Sequence, residues 1–183
     1  MKLSLVVPCY NEAENVAAFQ AAAIGAFQDC GYDFEIVFVD DGSKDATMAQ
    51  LRQIFARQEW PVKVVSCSRN FGKESGIYAG LQHASGEYIC FIDADLQQRP
   101  EIVRDMVRIL DESPEYDVVA AYQDRRGEGK LLSFFKKSFY GIINRLSNVS
   151  LKADASDFRT FRRSVAESIL ALGEYHRFSK GIF

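Results

Sequence analysis

Residues 88–97 read Tyr-Ile-Cys-Phe-Ile-Asp-Ala-Asp-Leu-Gln. The first five are apolar or aromatic and predict a buried β-strand, and two carboxylates, Asp93 and Asp95, follow directly. In α/β enzymes, acidic side chains just beyond a buried strand commonly hold a divalent cation and a phosphorylated ligand. Because an Asp-x-Asp pair also occurs on ordinary surface turns, its interpretation depends on the rest of the chain.

Short β-branched or aromatic runs alternate with longer amphipathic stretches along the chain. This alternation predicts an α/β fold with a mostly parallel central sheet flanked by helices. Asn11 and Glu14 have the spacing of a helix capping box, and Pro100 is placed to open a helix. The predicted strands cover residues 3–7, 34–39, 62–66, 88–92 and 118–121, and the predicted helices cover 12–27, 46–55, 73–84 and 101–110.

Four loops follow the predicted parallel strands, at residues 8–11, 40–44, 68–72 and 93–99. Ligands of such sheets bind beyond the carboxyl ends of the strands, so these loops are expected to form one site. Together they offer carboxylates and a hydroxyl for a base or ribose, cations for phosphates, and hard oxygen ligands for magnesium or manganese. The Asp-Asp-Gly-Ser loop alone would be an ordinary turn with an N-cap.

Other phosphate-binding folds are excluded by the absence of their motifs. The turn after the first strand lacks the Gly-x-Gly-x-x-Gly of dinucleotide oxidoreductases. The run 71–74 lacks the upstream glycine and the hydroxyl of a P-loop. Phosphatases with an Asp-x-Asp nucleophile usually carry it after the first strand, whereas this pair follows the fourth. Position therefore favours a metal site.

Five motifs follow one another along the chain and cover nearly its whole length. They are Val-Val-Pro-Cys-Tyr-Asn-Glu (6–12), Val-Asp-Asp-Gly-Ser (39–43), Ser-Arg-Asn-Phe-Gly-Lys-Glu (68–74), Asp-Ala-Asp-Leu-Gln (93–97) and Asp-Phe-Arg (157–159). In this order they resemble the successive signatures of family 2 glycosyltransferases, and more narrowly those of the branch that glycosylates polyprenyl phosphates. Because five motifs match in order, the resemblance is specific.

The resemblance implies a GT-A fold of Rossmann-like type, a nucleotide-diphosphate sugar as donor, a Mg²⁺ or Mn²⁺ ion, and inversion at the anomeric carbon. A UDP-sugar is favoured, although the residues do not separate UDP from GDP or one hexose from another. Metal ligands would be Asp93, Asp95 and Gln97. The residues expected to bind the nucleotide sugar are Pro8, Tyr10, Glu12, Asp40, Asp41, Lys73, Asp93, Ala94, Asp95 and Arg125.

The expected acceptor is a polyprenyl phosphate, whose oxygen is already anionic near neutral pH and needs little help from a general base. The resemblance places Asp157 and Arg159 at the reaction centre. Arg126 is expected there too, although the spacing leaves open whether Arg125 or Arg126 approaches the phosphate. Asp157 would orient the sugar or act as a base, and the structural alternative is an ion pair with Arg159 or Arg162.

Charge is distributed unevenly although the net charge is only −3. Residues 120–183 hold 12 Lys and Arg against 6 Asp and Glu, whereas residues 1–119 hold 10 against 19. Within the basic half, residues 130–146 combine an apolar face with four cations, which is typical of a helix lying on an anionic membrane surface. A core helix with a basic solvent-facing side is the alternative.

The chain is expected to be one catalytic domain over residues 1–183, ending before C-terminal membrane-associated segments that relatives often carry. Four cysteines without a Cys-x-x-Cys pair indicate a reducing compartment. We therefore expect the cytoplasmic face of a membrane, no nucleic-acid partner, and a homo-oligomer in the membrane-bound whole. A transferase with a saccharide acceptor and a non-catalytic nucleotide-sugar-binding module are the alternative functions.

Overall fold

A computed structural model describes residues 2–122 and 155–171 of the 183-residue chain. The strands are β1 (Leu3–Cys9), β2 (Phe34–Asp40), β3 (Val62–Ser66), β4 (Tyr88–Phe91), β5 (Val118–Tyr122) and β6 (Ala155–Arg162). The helices are α1 (Val16–Phe27), α2 (Thr47–Arg57), α3 (Lys73–His83), α4 (Pro100–Glu112) and α5 (Arg163–Ala171).

All six strands form one sheet in the order β3-β2-β1-β4-β6-β5. The pairs β3–β2, β2–β1 and β1–β4 are parallel, whereas β6 runs antiparallel to both of its neighbours. The predicted mostly parallel sheet with flanking helices is therefore confirmed.

Apolar side chains are buried on both faces of the sheet. Leu5 and Val7 of β1 pack with α1 and α4 on one face, and Val6 packs with Ile77 of α3 on the other. Because successive strand residues point to opposite faces, a strand covered on both sides reads as a continuous apolar run. This explains why β1, β2 and β4 were recognisable from the sequence.

The capping box predicted for the first helix is wrong. The α1 helix begins at Val16, and its N-cap, Asn15, makes no side-chain capping bond. Asn11 instead has a positive φ of 57° and accepts the backbone N–H of Lys44 at 2.9 Å. A hydrogen bond from the loop after β2 thus replaces the predicted capping bond within the first helix. The prediction for Pro100 is confirmed, since it is the first residue of α4.

Buried polar groups connect the amino ends of the strands, opposite the edge where ligands bind. The carboxylate of Glu35, which is 2% exposed, accepts hydrogen bonds from the Ser4 hydroxyl and the Ser85 backbone N–H at 2.7 and 2.6 Å. The Lys63 ammonium lies 2.9 Å away. Burial alone would raise the pKa of Glu35, but these bonds lower it below its ordinary value.

Candidate functional site

The loops that follow β1, β2, β3 and β4 enclose an open cleft of about 370 Å³ at the carboxyl edge of the sheet. That volume lies within the usual range for small-ligand sites. The residues lining it are Pro8, Cys9, Tyr10, Glu12, Asp41, Asn70, Lys73, Asp93, Ala94 and Asp95.

The first two loops are fixed to each other by hydrogen bonds in both directions. Asn11 donates its backbone N–H to the Ser43 hydroxyl at 2.9 Å and accepts the N–H of Lys44 through its side chain. The backbone N–H of Glu12 donates to the Thr47 hydroxyl at 2.8 Å. The loop leading into α1 is therefore held against the start of α2, which positions Glu12 at the cleft.

Asp41 fixes the third loop to the second. Its carboxylate is 3% exposed and accepts the backbone N–H groups of Phe71 and Gly72, each at 2.8 Å. Gly42 allows the two loops to approach, because a Cβ at this position would lie 2.7 Å from the backbone nitrogen of Asn70. The Gly42 φ of 69° is also in the region that side-chain-bearing residues avoid.

The acidic loop after β4 is held by its own side chains and by Lys73. The backbone N–H of Asp93 donates to Gln98 Oε1 at 3.1 Å, and that of Gln97 donates to Asp95 Oδ1 at 3.0 Å. The Lys73 ammonium lies 2.7 Å from Asp93 Oδ1. Both carboxylates are thereby presented at the cleft, where Glu12 and Asp41 add further negative charge.

The donor set fits a hard divalent cation that arrives with phosphates. Mg²⁺ and Mn²⁺ prefer oxygen ligands, and nucleotide sites usually supply one or two carboxylates while phosphates and water complete the shell. Asp93 and Asp95 provide that number. Within residues 2–122 and 155–171, no group of three or more His, Cys, Asp or Glu side chains has metal-binding geometry. The described residues alone would thus leave the shell incomplete.

Most residues predicted for the nucleotide sugar lie together at the cleft. Asp40 lies beneath it instead, 3% exposed, and accepts the backbone N–H of Ser43 at 3.3 Å. Gln97 is exposed on the turn beyond Asp95. The predicted residues that line the cleft are Pro8, Tyr10, Glu12, Asp41, Lys73, Asp93, Ala94 and Asp95.

The residues predicted for the reaction centre are only partly described. Arg159 is 4% exposed on β6, where its backbone pairs with Phe91 of β4 and Ala120 of β5. Asp157 belongs to the same strand. Because β6 is antiparallel to β4, the Asp157 backbone lies toward the edge where the acidic loop begins. Arg125, Arg126 and the basic stretch 130–146 lie outside the described residues.

Three residues at the site were not selected from the sequence, namely Cys9, Asn70 and Gln98. Burial, together with the charges of Glu12, Asp40 and Asp93, raises the pKa of the Cys9 thiol well above its ordinary range, so the thiol is neutral. Asn70 lies within the predicted third loop, but neither its residue type nor its spacing marked its side chain as part of the site. Gln98 acts through the backbone of Asp93, a contact that residue type does not reveal.

The family model described as "Glycosyl transferase family 2" matches residues 4–170. A "Putative glycosyltransferase CsbB" of Bacillus subtilis (strain 168) is 37% identical over 99% of this chain and 54% of its own length. A "Bactoprenol glucosyl transferase" of Shigella phage SfV is 38% identical over 100% of this chain and 59% of its own.

Among solved structures, a mannosyltransferase from Pyrobaculum calidifontis in complex with GDP-Man and Mn²⁺ superposes with a TM-score of 0.67. It is 21% identical over 92% of this chain and 46% of its own, so the likeness concerns the fold. The chain spans a little over half the length of the curated relatives reported above. Both comparisons agree with the fold and the motifs.

Proposed function

Since the chain belongs to glycosyl transferase family 2, we propose that it moves a hexose from a nucleotide-diphosphate sugar, with a UDP-sugar favoured, to a polyprenyl phosphate used in cell-envelope glycan synthesis. The observation that carries the proposal is the cleft itself. It combines two carboxylates one residue apart, Asp93 and Asp95, with the ammonium of Lys73 and with a nucleoside-sized space.

The cleft lining combines groups suited to a nucleoside with groups suited to a diphosphate. Pro8 and Tyr10 at the end of β1, with Asp41, would contact the nucleoside, and Asp40 would support them from below. Lys73 would contact the diphosphate. A divalent cation, when bound, would neutralise charge on the departing diphosphate. Asp93, Asp95 and Gln97 would hold that cation, with Ala94 lining the same edge.

The acceptor half of the reaction depends mainly on positioning and charge. A phosphate monoester is anionic near neutral pH, so its oxygen can attack the anomeric carbon with little need for proton removal. Arg125 or Arg126 would hold the acceptor phosphate in line, and Asp157 and Arg159 would organise the sugar. The position of β6 supports this, because it brings the backbone of Asp157 toward the acidic loop.

The relatives support the choice of a lipid acceptor. The phage relative is named for transfer to bactoprenol, and it aligns over the whole of this chain. We extend that chemistry to this protein and assign residues 130–146 to a membrane surface at the cytoplasmic face, with a homo-oligomer in the membrane-bound whole. No helix of the described part of the chain is long and apolar enough to cross a membrane.

The test begins with calorimetric titration of UDP and GDP into the chain, each with and without Mn²⁺. We expect one nucleotide to bind in a Mn²⁺-dependent manner, and Asp95→Asn to abolish that dependence. Asp29→Asn is the matched control, since it changes an exposed carboxylate just beyond the C-terminal end of α1. Unchanged Mn²⁺-dependent binding in the Asp95 variant would place the metal elsewhere.

A second experiment addresses the acceptor. The chain, given the labelled sugar nucleotide, is incubated with undecaprenyl phosphate in detergent or with a free saccharide. Label in the lipid fraction supports the proposal. Label only in the saccharide would mean a different family 2 activity, and nucleotide binding without transfer to either would favour a binding module.

A further inference from the structure

Lys73 and Asp93 form an ion pair across two loops of the cleft. The Lys73 ammonium lies 2.7 Å from Asp93 Oδ1 and 2.9 Å from Oδ2. Lys73 is the first residue of α3, and Asp93 follows β4. The two side chains are 43% and 34% exposed, so solvent reaches the pair and separating it costs little.

Lys73 is the one cation among the cleft-lining residues that the structure describes, and it faces an excess of acids. The lining carboxylates are Glu12, Asp41, Asp93 and Asp95. Asp41 already accepts two backbone N–H groups, whereas Asp93 has the ammonium of Lys73. In the ligand-free chain the ammonium therefore occupies the neighbourhood that a divalent cation would take.

The backbones on either side of this pair are held in place, whereas the lysine side chain can move. Asp41 fixes Gly72, directly before Lys73, and Gln98 fixes the N–H of Asp93. The lysine side chain is a flexible four-carbon stem with a point charge at its end. A change of partner at Lys73 therefore needs no movement of these backbones.

We propose that Lys73 is a resident counter-cation, which the metal must displace from Asp93 and which the donor diphosphate attracts to itself. This inference rests on the proposed function. A metal arriving alone competes with the ammonium for Asp93. A diphosphate gives the ammonium a new partner and leaves the carboxylate to the metal, so the two ligands bind with positive coupling.

The coupling is measurable without turnover. Mn²⁺ affinity is determined by electron paramagnetic resonance on the metal-free chain, without nucleotide and with saturating UDP or GDP. Nucleotide affinity is determined by calorimetry without metal. For the wild-type chain we expect weak binding of Mn²⁺ alone and clearly tighter binding with the nucleotide. Reciprocity requires the same factor for the nucleotide when Mn²⁺ is present.

The decisive variant is Lys73→Met, which keeps the length of the stem and removes the charge. We expect it to bind Mn²⁺ alone about three- to fivefold more tightly, as expected for the loss of a partly exposed competing ion pair. Without metal, it should bind the nucleotide more weakly than the wild type. The coupling factor should fall accordingly, and Lys73→Arg, which keeps the charge, should restore it at least in part.

Lys44→Met is the matched control, because Lys44 is an exposed lysine in the second loop of the same edge. It removes one positive charge without removing the described ion pair to Asp93. Equal Mn²⁺ affinities in the two methionine variants would overturn the inference, as would an unchanged coupling factor in Lys73→Met. Far-UV circular dichroism and thermal melting establish that the variants are folded.

Failure of the proposed function would be seen in the wild-type chain. If neither nucleotide binds with Mn²⁺, the donor site is wrong and the role of Lys73 is lost with it. If the wild type shows coupling that Lys73→Met retains, the donor site stands and only the role of Lys73 is overturned.

Discussion

The carboxylate of Asp41 accepts the backbone N–H of Gly72 at 2.8 Å, which joins the end of β2 to the start of α3. The same carboxylate accepts a second backbone N–H, and the side chain is buried. A group assigned to ligand binding on motif grounds is thus also part of the framework. Changes at this residue should affect stability as well as binding.

Asp41→Asn tests that double role. The amide keeps one acceptor oxygen but directs an NH₂ group at a backbone donor, leaving a buried polar group unsatisfied. We expect a loss of about 1–3 kcal/mol in the free energy of unfolding, measured by urea denaturation. Asp29→Asn, at an exposed position, should change stability by less than about 0.5 kcal/mol. Equal effects of the two substitutions would mean that the Asp41 bonds add nothing.

Gly42→Ala and Gly31→Ala separate backbone strain from steric contact. Both glycines have positive φ, 69° and 76°, so both substitutions carry a conformational cost of roughly 1–2 kcal/mol. Only the Cβ at Gly42 would meet another backbone, that of Arg69 and Asn70, whereas nothing lies within 4 Å of the one at Gly31. Gly42→Ala should therefore be clearly the more destabilising in urea. It should also weaken nucleotide binding, which Gly31→Ala should leave intact.

Because the pKa of Glu35 is lowered in the folded chain, we expect the folded state to lose stability in acid. Its pKa in the folded chain is lowered from 4.5, despite the opposing effect of burial, by bonds from Lys63, Ser4 and Ser85. A lowered folded-state pKa means that the unfolded chain binds the proton first. The contribution is present above the unfolded pKa and is lost as the pH falls through the folded pKa.

Urea denaturation of wild type and Glu35→Gln between pH 7 and pH 3 measures this contribution. The variant should be less stable at pH 7, because the glutamine cannot pair with Lys63, and its stability should fall less steeply below about pH 4.5. Parallel pH profiles would contradict the assignment.

We expect the four cysteines to differ in their reactivity toward alkylating reagents, because two of them are buried. Burial raises the pKa of Cys90 to about 12, and it raises that of Cys9 further. Thiolates are the reactive form, so neither should be alkylated by iodoacetamide at pH 8 in the folded chain. Cys30 and Cys67 are partly exposed and should react first. Mass spectrometry of peptides with and without urea measures this, and early labelling of Cys9 would mean that the cleft opens further than described.

The sequence allowed prediction of the parallel half of the sheet, because strands covered on both faces are continuous apolar runs between helices. The four loops that line the cleft could be predicted from the same topology, whereas its individual residues were expected from the family resemblance, which left out Cys9 and Asn70. β6 could not. It carries Phe158 and Phe161 at a spacing of three, with the buried polar residues Arg159 and Thr160 between them. That pattern has neither the alternation nor the apolar continuity of a strand.

Hydrogen bonds between loops that are far apart in the sequence could not be predicted either. Asn11 and Glu14 satisfied the local spacing of a capping box, yet the side chain of Asn11 bonds a residue 33 positions away. Asp40 and Asp41 are adjacent and identical in type, but one lies beneath the cleft and the other lines it. Such distinctions depend on tertiary contacts that residue type and spacing do not encode.

The position of β6 also determines when the sheet can be completed during synthesis on the ribosome. Residues up to β4 can pair in parallel as soon as they emerge, but β5 has its described partner only after residue 155 has been made. The donor cleft can therefore take shape early, while the strand that carries Asp157 and Arg159 docks last. A nascent chain stalled before β6 would leave the exposed edge of β4 open to pairing with other chains.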